Sequence, residues 1–303
     1  MKKLIVLLGV AGVSVSALLV RYSTAPSLTI VAYRMAFATL LLMPWAGVFH
    51  RDELRSIGRR RLLLCGVSGL FLGLHFFAYF SSLQYTSIAS SVVLVDTEVF
   101  WVAGLMFLLT GERVGKWGAL GIALAFAGSV VVVLCEGAGG SVKGDLIALA
   151  GAAFMAVYTV IGRLVRREMS TTLYTALVYG AGFLTAAAMA LATGVPLSGW
   201  GGENLWIGLG LAVFCTLLGH SVFSWGLKYE KAAYISTVKF LEPVFASVWG
   251  VLFLREIPPL PTVLGALVIL AGVALCAWDG GTDRRPPEKS MGGRRCQTGK
   301  KGV

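Results

Sequence analysis

Five ionisable residues stand inside stretches of this chain that are otherwise apolar: Arg34, Asp96, Glu98, Lys239 and Glu242. On insertion scales a charge in hydrocarbon costs at least roughly 2.5–3.5 kcal/mol, so each needs a partner or a task. Carboxylates and cations gathered away from water can bind a charged solute, hold an ion or take up a proton. Glu98 and Glu242 lie near the middle of their apolar stretches. Lys239 precedes Glu242 by three residues, one helical turn, where an ammonium and a carboxylate can pair and keep Glu242 ionised. The residue at the matching place beside Glu98 is Val95. Two readings of Glu98 follow. Either it titrates, carrying the single proton that balances three acids against two bases, or it pairs with Arg34. In the second case Asp96, about 200° around the helix from Glu98, finds other partners.

His75 and His220 each fall in the final third of an apolar stretch. They read as hydrogen-bonding bridges between helices or as proton-relay and substrate contacts, one toward each face of the membrane. Trp101, with Phe71, Phe76, Phe77, Tyr79, Phe80 and Trp249, would line an apolar cavity, or else face lipid or core. Pro243, directly after Glu242, would kink its helix and free backbone carbonyls.

The elements that must position these residues are membrane helices. Of 303 residues 57% are apolar and 14% charged, which excludes an ordinary soluble globule. Ten apolar stretches, at about 4–20, 28–49, 62–82, 88–109, 115–134, 145–163, 172–193, 205–227, 233–254 and 260–278, are each long enough to span a bilayer. Their unbroken apolarity excludes a transmembrane β-barrel, whose strands alternate. The first stretch, after Met1-Lys2-Lys3, also fits a signal peptide, but it ends at Arg21-Tyr22 without a small-x-small cleavage site and is read as helix 1. The fold class is therefore all-α integral membrane with ten transmembrane helices.

Charge placement gives the orientation. With Met1 in the cytoplasm, 21 basic residues fall on the inside and three (Arg21, Lys143, Arg255) on the outside, which puts both termini in the cytoplasm of a cell inner membrane. The net charge of +11 is thus a topology signal and calls for no nucleic acid. Residues 281–303, rich in Gly, Pro, Lys and Arg, read as a disordered basic cytoplasmic tail, a solvated anchor or a binder of anionic lipid.

An internal repeat organises the rest. At one offset of 144 residues Leu83 meets Leu227, Tyr85 meets Tyr229, Glu98 meets Glu242, Glu112 meets Glu256, Gly121 meets Gly265 and Gly128 meets Gly272. The units are 1–138 and 139–280. With five spans each, an odd number, the second unit enters from the opposite side. Such inverted repeats place one site at the midplane, open alternately to either side. Gly69-x-x-x-Gly73 and the glycines of the fifth and tenth stretches read as close packing, or for the first pair as a dimer face, so monomer and homodimer both stand.

The five cysteines, Cys65, Cys135, Cys215, Cys276 and Cys296, form no C-x-x-C pair and stand at no metal-ligand spacing, so no metal or other cofactor is expected. No H-E-x-x-H, G-x-S-x-G or P-loop motif points to an enzyme, and energy would come from an ion gradient or solute exchange. The expected function is secondary transport of a small solute through a lipid bilayer. A membrane scaffold or sensor, without flux, is the alternative.

Several short motifs support a family resemblance over residues 4–278. They are Tyr33-Arg34, Leu74-His75-Phe76, Ser81-Ser82-Leu83, Ala89-Ser90-Ser91, Gly111-Glu112, Gly219-His220, Leu227-Lys228-Tyr229, Leu241-Glu242-Pro243-Val244-Phe245 and Arg255-Glu256. Together they resemble the EamA-type branch of the drug/metabolite transporter superfamily. The resemblance implies a ten-helix inverted-repeat carrier with a central cavity, commonly exporting amino acids or other metabolites. This chain departs from it around Asp96–Val99, where two acids replace uncharged residues and a proline, which suggests a cationic or zwitterionic solute or a different coupling ion.

Overall fold

The computed structural model describes residues 2–136, 141–249, 251–252 and 259–282. Of the expected tail, residues 281 and 282 belong to the last helix and the rest lies outside the described residues, as do Arg255 and Glu256. Among those described every regular element is a helix. In chain order these are α1 (Lys2–Val13), α2 (Ser16–Arg21), α3 (Ser27–Phe49), α4 (Arg51–Arg55), α5 (Arg59–Ser82), α6 (Ile88–Asp96) and α7 (Glu98–Thr110). There follow α8 (Lys116–Glu136), α9 (Val142–Val165), α10 (Thr171–Thr193), α11 (Gly202–Gly210), a π-helical stretch Leu211–His220 and α12 (Ser221–Gly226). The last are α13 (Ala232–Thr237), a 3₁₀ turn Val238–Leu241, α14 (Glu242–Trp249) and α15 (Leu260–Thr282).

Eight of these helical stretches are long and apolar enough to cross a membrane, and Lys116–Val132 in α8 is a shorter apolar ninth. The expected stretch at 233–254 is interrupted: α13, the 3₁₀ turn and α14 follow one another and end beside residues outside the described set. The helix starts obey local chemistry. Ser87, Ser141 and Ser170 cap α6, α9 and α10, each hydroxyl accepting from the backbone N–H three residues on. Gly111 and Gly194 end α7 and α10 with φ of 70° and 69°, the left-handed conformation that a glycine adopts without strain.

The repeat seen in the sequence is also a repeat of elements. At the same offset of 144, α3 falls on α10 at both ends, Ile88 at the start of α6 falls on Ala232 of α13, and Glu98 at the start of α7 falls on Glu242 of α14. Packing follows two apolar clusters. One joins α3, α5, α9 and α10 through Ile30, Leu72, Phe76, Tyr158 and Tyr179. The other joins α1, α7, α8, α13 and α15 through Val6, Val99, Ile122 and Ile269. Glycines set the closest approaches: a Cβ on Gly121 would stand 2.6 Å from the Gly272 carbonyl oxygen, and one on Gly128 would stand 2.7 Å from that of Gly265. Gly69 and Gly73 pack against α10 at Val178, Gly182 and Thr185, so that pair is buried inside the fold and offers no dimer face.

Both helices that carry the repeated glutamates are broken at the same place. The expectation of one proline-driven kink at Pro243 is corrected by a break at Thr97, where no proline stands. There Thr97 Oγ1 donates to the Leu94 carbonyl oxygen at 2.5 Å, and the Thr97 N–H bonds the same oxygen at 3.3 Å. A threonine bonded back to the preceding turn in this way bends a helix without proline. In the second repeat the break is the 3₁₀ turn, after Thr237 Oγ1 has bonded the Ala233 carbonyl oxygen at 2.6 Å.

Candidate functional site

The two breaks face each other, and between them lies a small cavity of about 40 Å³. Seven of the eight singled-out residues line it: Arg34 from α3, His75 from α5, Asp96 and Glu98 from the α6–α7 break, His220 from the π-helical stretch, Lys239 from the 3₁₀ turn and Glu242 from α14. Trp101 does not. It is 53% exposed, on the outer side of α7, whose buried face runs through Val99, Val102 and Met106. Because α7 is apolar all the way round, the sequence carries no sign of which side meets lipid.

The ion pairing differs from both readings of the sequence. Lys239 Nζ donates to Glu98 Oε1 at 2.7 Å, across the two repeats, instead of pairing along its own helix with Glu242. Glu98 is wholly buried while Glu242 is half-buried. A fully desolvated carboxylate gains more from an ammonium than one that keeps part of its hydration, so the pairing across the repeats wins. Nor does Arg34 serve Glu98. Its Nε donates to Thr216 Oγ1 at 2.7 Å, its Nη1 to Ser16 Oγ at 3.4 Å, and its guanidinium lies 3.8 Å over the Phe76 ring. Thr216 sits inside the π-helical stretch, where wide turns are often found at functional positions.

The histidines meet instead of standing at opposite depths. Their ring centroids are 6.5 Å apart, and His75 Nδ1 donates to the Gly151 carbonyl oxygen at 3.0 Å. Each side chain tilts toward the N-terminus of its own helix, and on oppositely directed helices both tilts lead back to the middle.

Five buried atoms around this cavity have no hydrogen-bond partner among the described residues: Arg34 Nη2, Tyr79 Oη, Asp96 Oδ2, Glu98 Oε2 and His220 Nδ1. Leaving such a group unsatisfied costs roughly 1–3 kcal/mol. All five lie at one place, and they include both donors and acceptors. Asp96 adds to this, lying within Coulombic reach of Glu242, Lys239 and Glu98. Ser16 and Phe223 also line the cavity, and the sequence reading passed over both. Ser16 lay hidden as one small hydroxyl in an apolar run. Phe223 is the repeat counterpart of Tyr79, which the offset of 144 would have indicated.

A second, larger opening adjoins the first. A vestibule of about 660 Å³ lies among residues 17–30 and 80–88, lined by Ala17, Arg21, Ile30, Phe80 and Gln84 among others. Ile30 and Phe80, in the lining of the vestibule, stand one helical turn from Arg34 and Phe76 of the charged cavity.

Residues 2–134 and 142–278 each match the EamA-like transporter family. The chain belongs to that family. It is 27% identical over 252 residues to an uncharacterized transporter of Archaeoglobus fulgidus, covering 80% of this chain and 85% of the relative. It is 28% identical over 265 residues to the pseudopaline exporter CntI of Pseudomonas aeruginosa, covering 84% and 87%. A crystal structure of 22% sequence identity superimposes with a TM-score of 0.73 over 92% of this chain and 98% of that one, which shows the shared fold. As a member of the EamA-like family the protein is a multi-pass membrane transporter with a small-molecule substrate and a lipid environment. The two family matches fall on the two copies of the repeat.

Proposed function

We propose that this protein is a secondary exporter of small amphipathic metabolites that carry both an ammonium and a carboxylate group, such as amino acids and their relatives. The reading rests on one observation: a guanidinium, a phenol and an imidazole face two carboxylates around one cavity, and each has an unpartnered buried atom. A solute carboxylate would take Arg34 Nη2 and Tyr79 Oη. Its ammonium would take Asp96, with Glu242 beside it. The 40 Å³ cavity admits water-sized groups only, so seating such a solute requires the surrounding helices to part, as alternating access demands.

The basic residues put the end that carries Lys2, Arg55, Arg113, Arg163 and Lys231 in the cytoplasm of the inner membrane, with both termini, and the vestibule outside. The two matched repeats then run in opposite senses through the bilayer. Similarity to a protein named as an exporter supports the outward direction. Coupling to protons is assigned to Asp96 with Glu242, where the surplus negative charge of three acids over two bases resides once Lys239 is committed to Glu98.

The test is uptake by the purified protein in liposomes, with a panel of amino acids, their decarboxylated amines and their deaminated acids, with and without a pH gradient. Flux of the zwitterions above that of both single-charge analogues is expected. Equal flux of the amines and the zwitterions would remove Arg34 from recognition, and no flux of any solute in the panel would remove the proposed substrate class.

A further inference from the structure

The two ends of the molecule are built from equivalent segments and stand in different states. At one end, residues 17–30 and 80–88 enclose the vestibule. Their counterparts at the offset of 144 are residues 161–174 and 224–232, at the basic end, and here a lattice of arginine contacts ties the segments together. Arg163 Nη1 donates to the Leu227 carbonyl oxygen at 2.7 Å, and its Nη2 meets Glu112 Oε2 at 3.2 Å. Arg166, 1% exposed, donates from Nε to the Ser224 carbonyl oxygen at 3.1 Å and from Nη2 to Thr171 Oγ1. Arg167 Nη2 reaches Glu112 Oε2 at 3.9 Å. The Ser170 N–H, at the start of α10, donates to Glu53 Oε1 at 2.7 Å and so ties α4 to the same place.

We infer that this lattice, centred on Arg163, Arg166 and Glu112, is the latch that holds the basic end shut while the vestibule stands open. Symmetry carries the argument. Arg163, Arg166 and Arg167 correspond to Leu19, Tyr22 and Ser23, and Ser224 and Leu227 correspond to Phe80 and Leu83, so none of the arginines has a cationic counterpart around the vestibule. Arg21 lines the vestibule but stands at none of these three positions; the end that lacks counterparts of Arg163, Arg166 and Arg167 is open and the end that has them is closed. Exchanging the conformations of the two repeats turns the molecule into its opposite-facing state. In that state residues 161–174 and 224–232 would part as residues 17–30 and 80–88 do now, which needs Arg163 to leave Leu227 and Arg166 to leave Ser224. Arg166 Nη1 and Arg163 Nε, buried without a hydrogen-bond partner among the described residues, show that the closed lattice does not use every donor it buries. Opening the end to water would satisfy both, which offsets part of the cost of breaking the latch. Which face of the membrane the latch closes rests on the topology proposed above.

The experiment uses the full chain with its five native cysteines replaced by alanine and one cysteine added at either of two equivalent positions. Ile88→Cys reports on the vestibule, and Ala232→Cys on the buried counterpart at the basic end. A membrane-impermeant maleimide is applied to intact cells and to inside-out vesicles. Glu112→Gln is expected to raise labelling of Ala232→Cys about tenfold and to lower that of Ile88→Cys, because the two states exchange at each other's expense. Arg163→Gln should do the same, and Arg167→Gln, which removes a long contact from a half-exposed position, should shift both rates in the same sense by less. Unchanged rates at both positions, or a rise at both, in Glu112→Gln and Arg167→Gln overturn the latch. If the reciprocal change occurs with Ile88→Cys labelled in inside-out vesicles and not in cells, the latch stands and the proposed topology falls.

Discussion

The α6–α7 and α13–α14 junctions are the same device built twice with different chemistry. Each stops a helix within the apolar span, and each restarts it on a glutamate, Glu98 in one and Glu242 in the other. Yet Glu98 is wholly buried and bonded to Lys239 of the other repeat, while Glu242 is half-buried and faces the cavity. Asp96 stands where the second repeat has Phe240, and Lys239 where the first has Val95. The backbone keeps the two-fold relation and the charges do not. A carrier that alternates between two faces needs the first property, and one that recognises a solute with distinct ends needs the second, because a symmetric site cannot tell an ammonium from a carboxylate.

The comparison breaks most sharply at the single contact that joins the two junctions. Lys239→Met leaves Glu98 buried and uncompensated, which for a buried pair costs about 3–5 kcal/mol. The expected outcome is a protein that loses most of its thermal stability in detergent and carries no solute. Adding Glu98→Gln removes the stranded charge and should restore most of the melting temperature without restoring transport. If Lys239→Met alone melts as the parent does, the pair is not holding the junctions together.

Arg34→Lys probes the carboxylate pole. A lysine keeps the positive charge but loses the Nε bond to Thr216 and the stacking over Phe76. Stability should fall by about 1–2 kcal/mol, and the KM for zwitterions should rise about tenfold while the KM for the matching amines stays level. A parallel rise for both classes would move Arg34 from recognition to packing.

Asp96→Asn sharpens the comparison at lower cost. It removes a buried carboxylate oxygen that has no partner, so stability should hold within about 1 kcal/mol or improve. Flux driven by a pH gradient should disappear while solute exchange continues at equal pH on both sides. Proton-driven flux that survives in Asp96→Asn would return coupling to Glu242 alone or to the histidines.

Much of the fold was legible in the sequence because lipid imposes simple rules. Backbone groups must bond internally, so each span is a long apolar run, and one ungapped offset relates the two repeats. The same rules hid the pairing inside the site. Apolar residues surround α7 on every side, so Trp101 and Val102 carry the same signal although one faces outward and the other the core. The partner of Glu98 could not be read from helical spacing, because it lies on a helix 141 residues away. The meeting of His75 with His220 depended on side-chain tilt, which positions along a span do not convey. Seven residues were legible as charged or polar intruders; which of them touch was decided by tertiary geometry.

Proline is the last asymmetry between the junctions, and it should matter least. Pro243 is the second residue of α14, directly after the 3₁₀ turn Val238–Leu241, so the break precedes it in the chain. The first repeat breaks without a proline, through Thr97 bonded back to Leu94. If the break belongs to the fold and not to the proline, Pro243→Ala should change stability by less than about 1 kcal/mol and leave the KM unaltered. Thr97→Ala, which removes the back-bond at the equivalent junction, should cost about 1 kcal/mol. A larger loss from Pro243→Ala than from Thr97→Ala would mean that the two breaks, alike in position, are held by different forces. The second would then be a proline hinge with no equivalent in the first repeat.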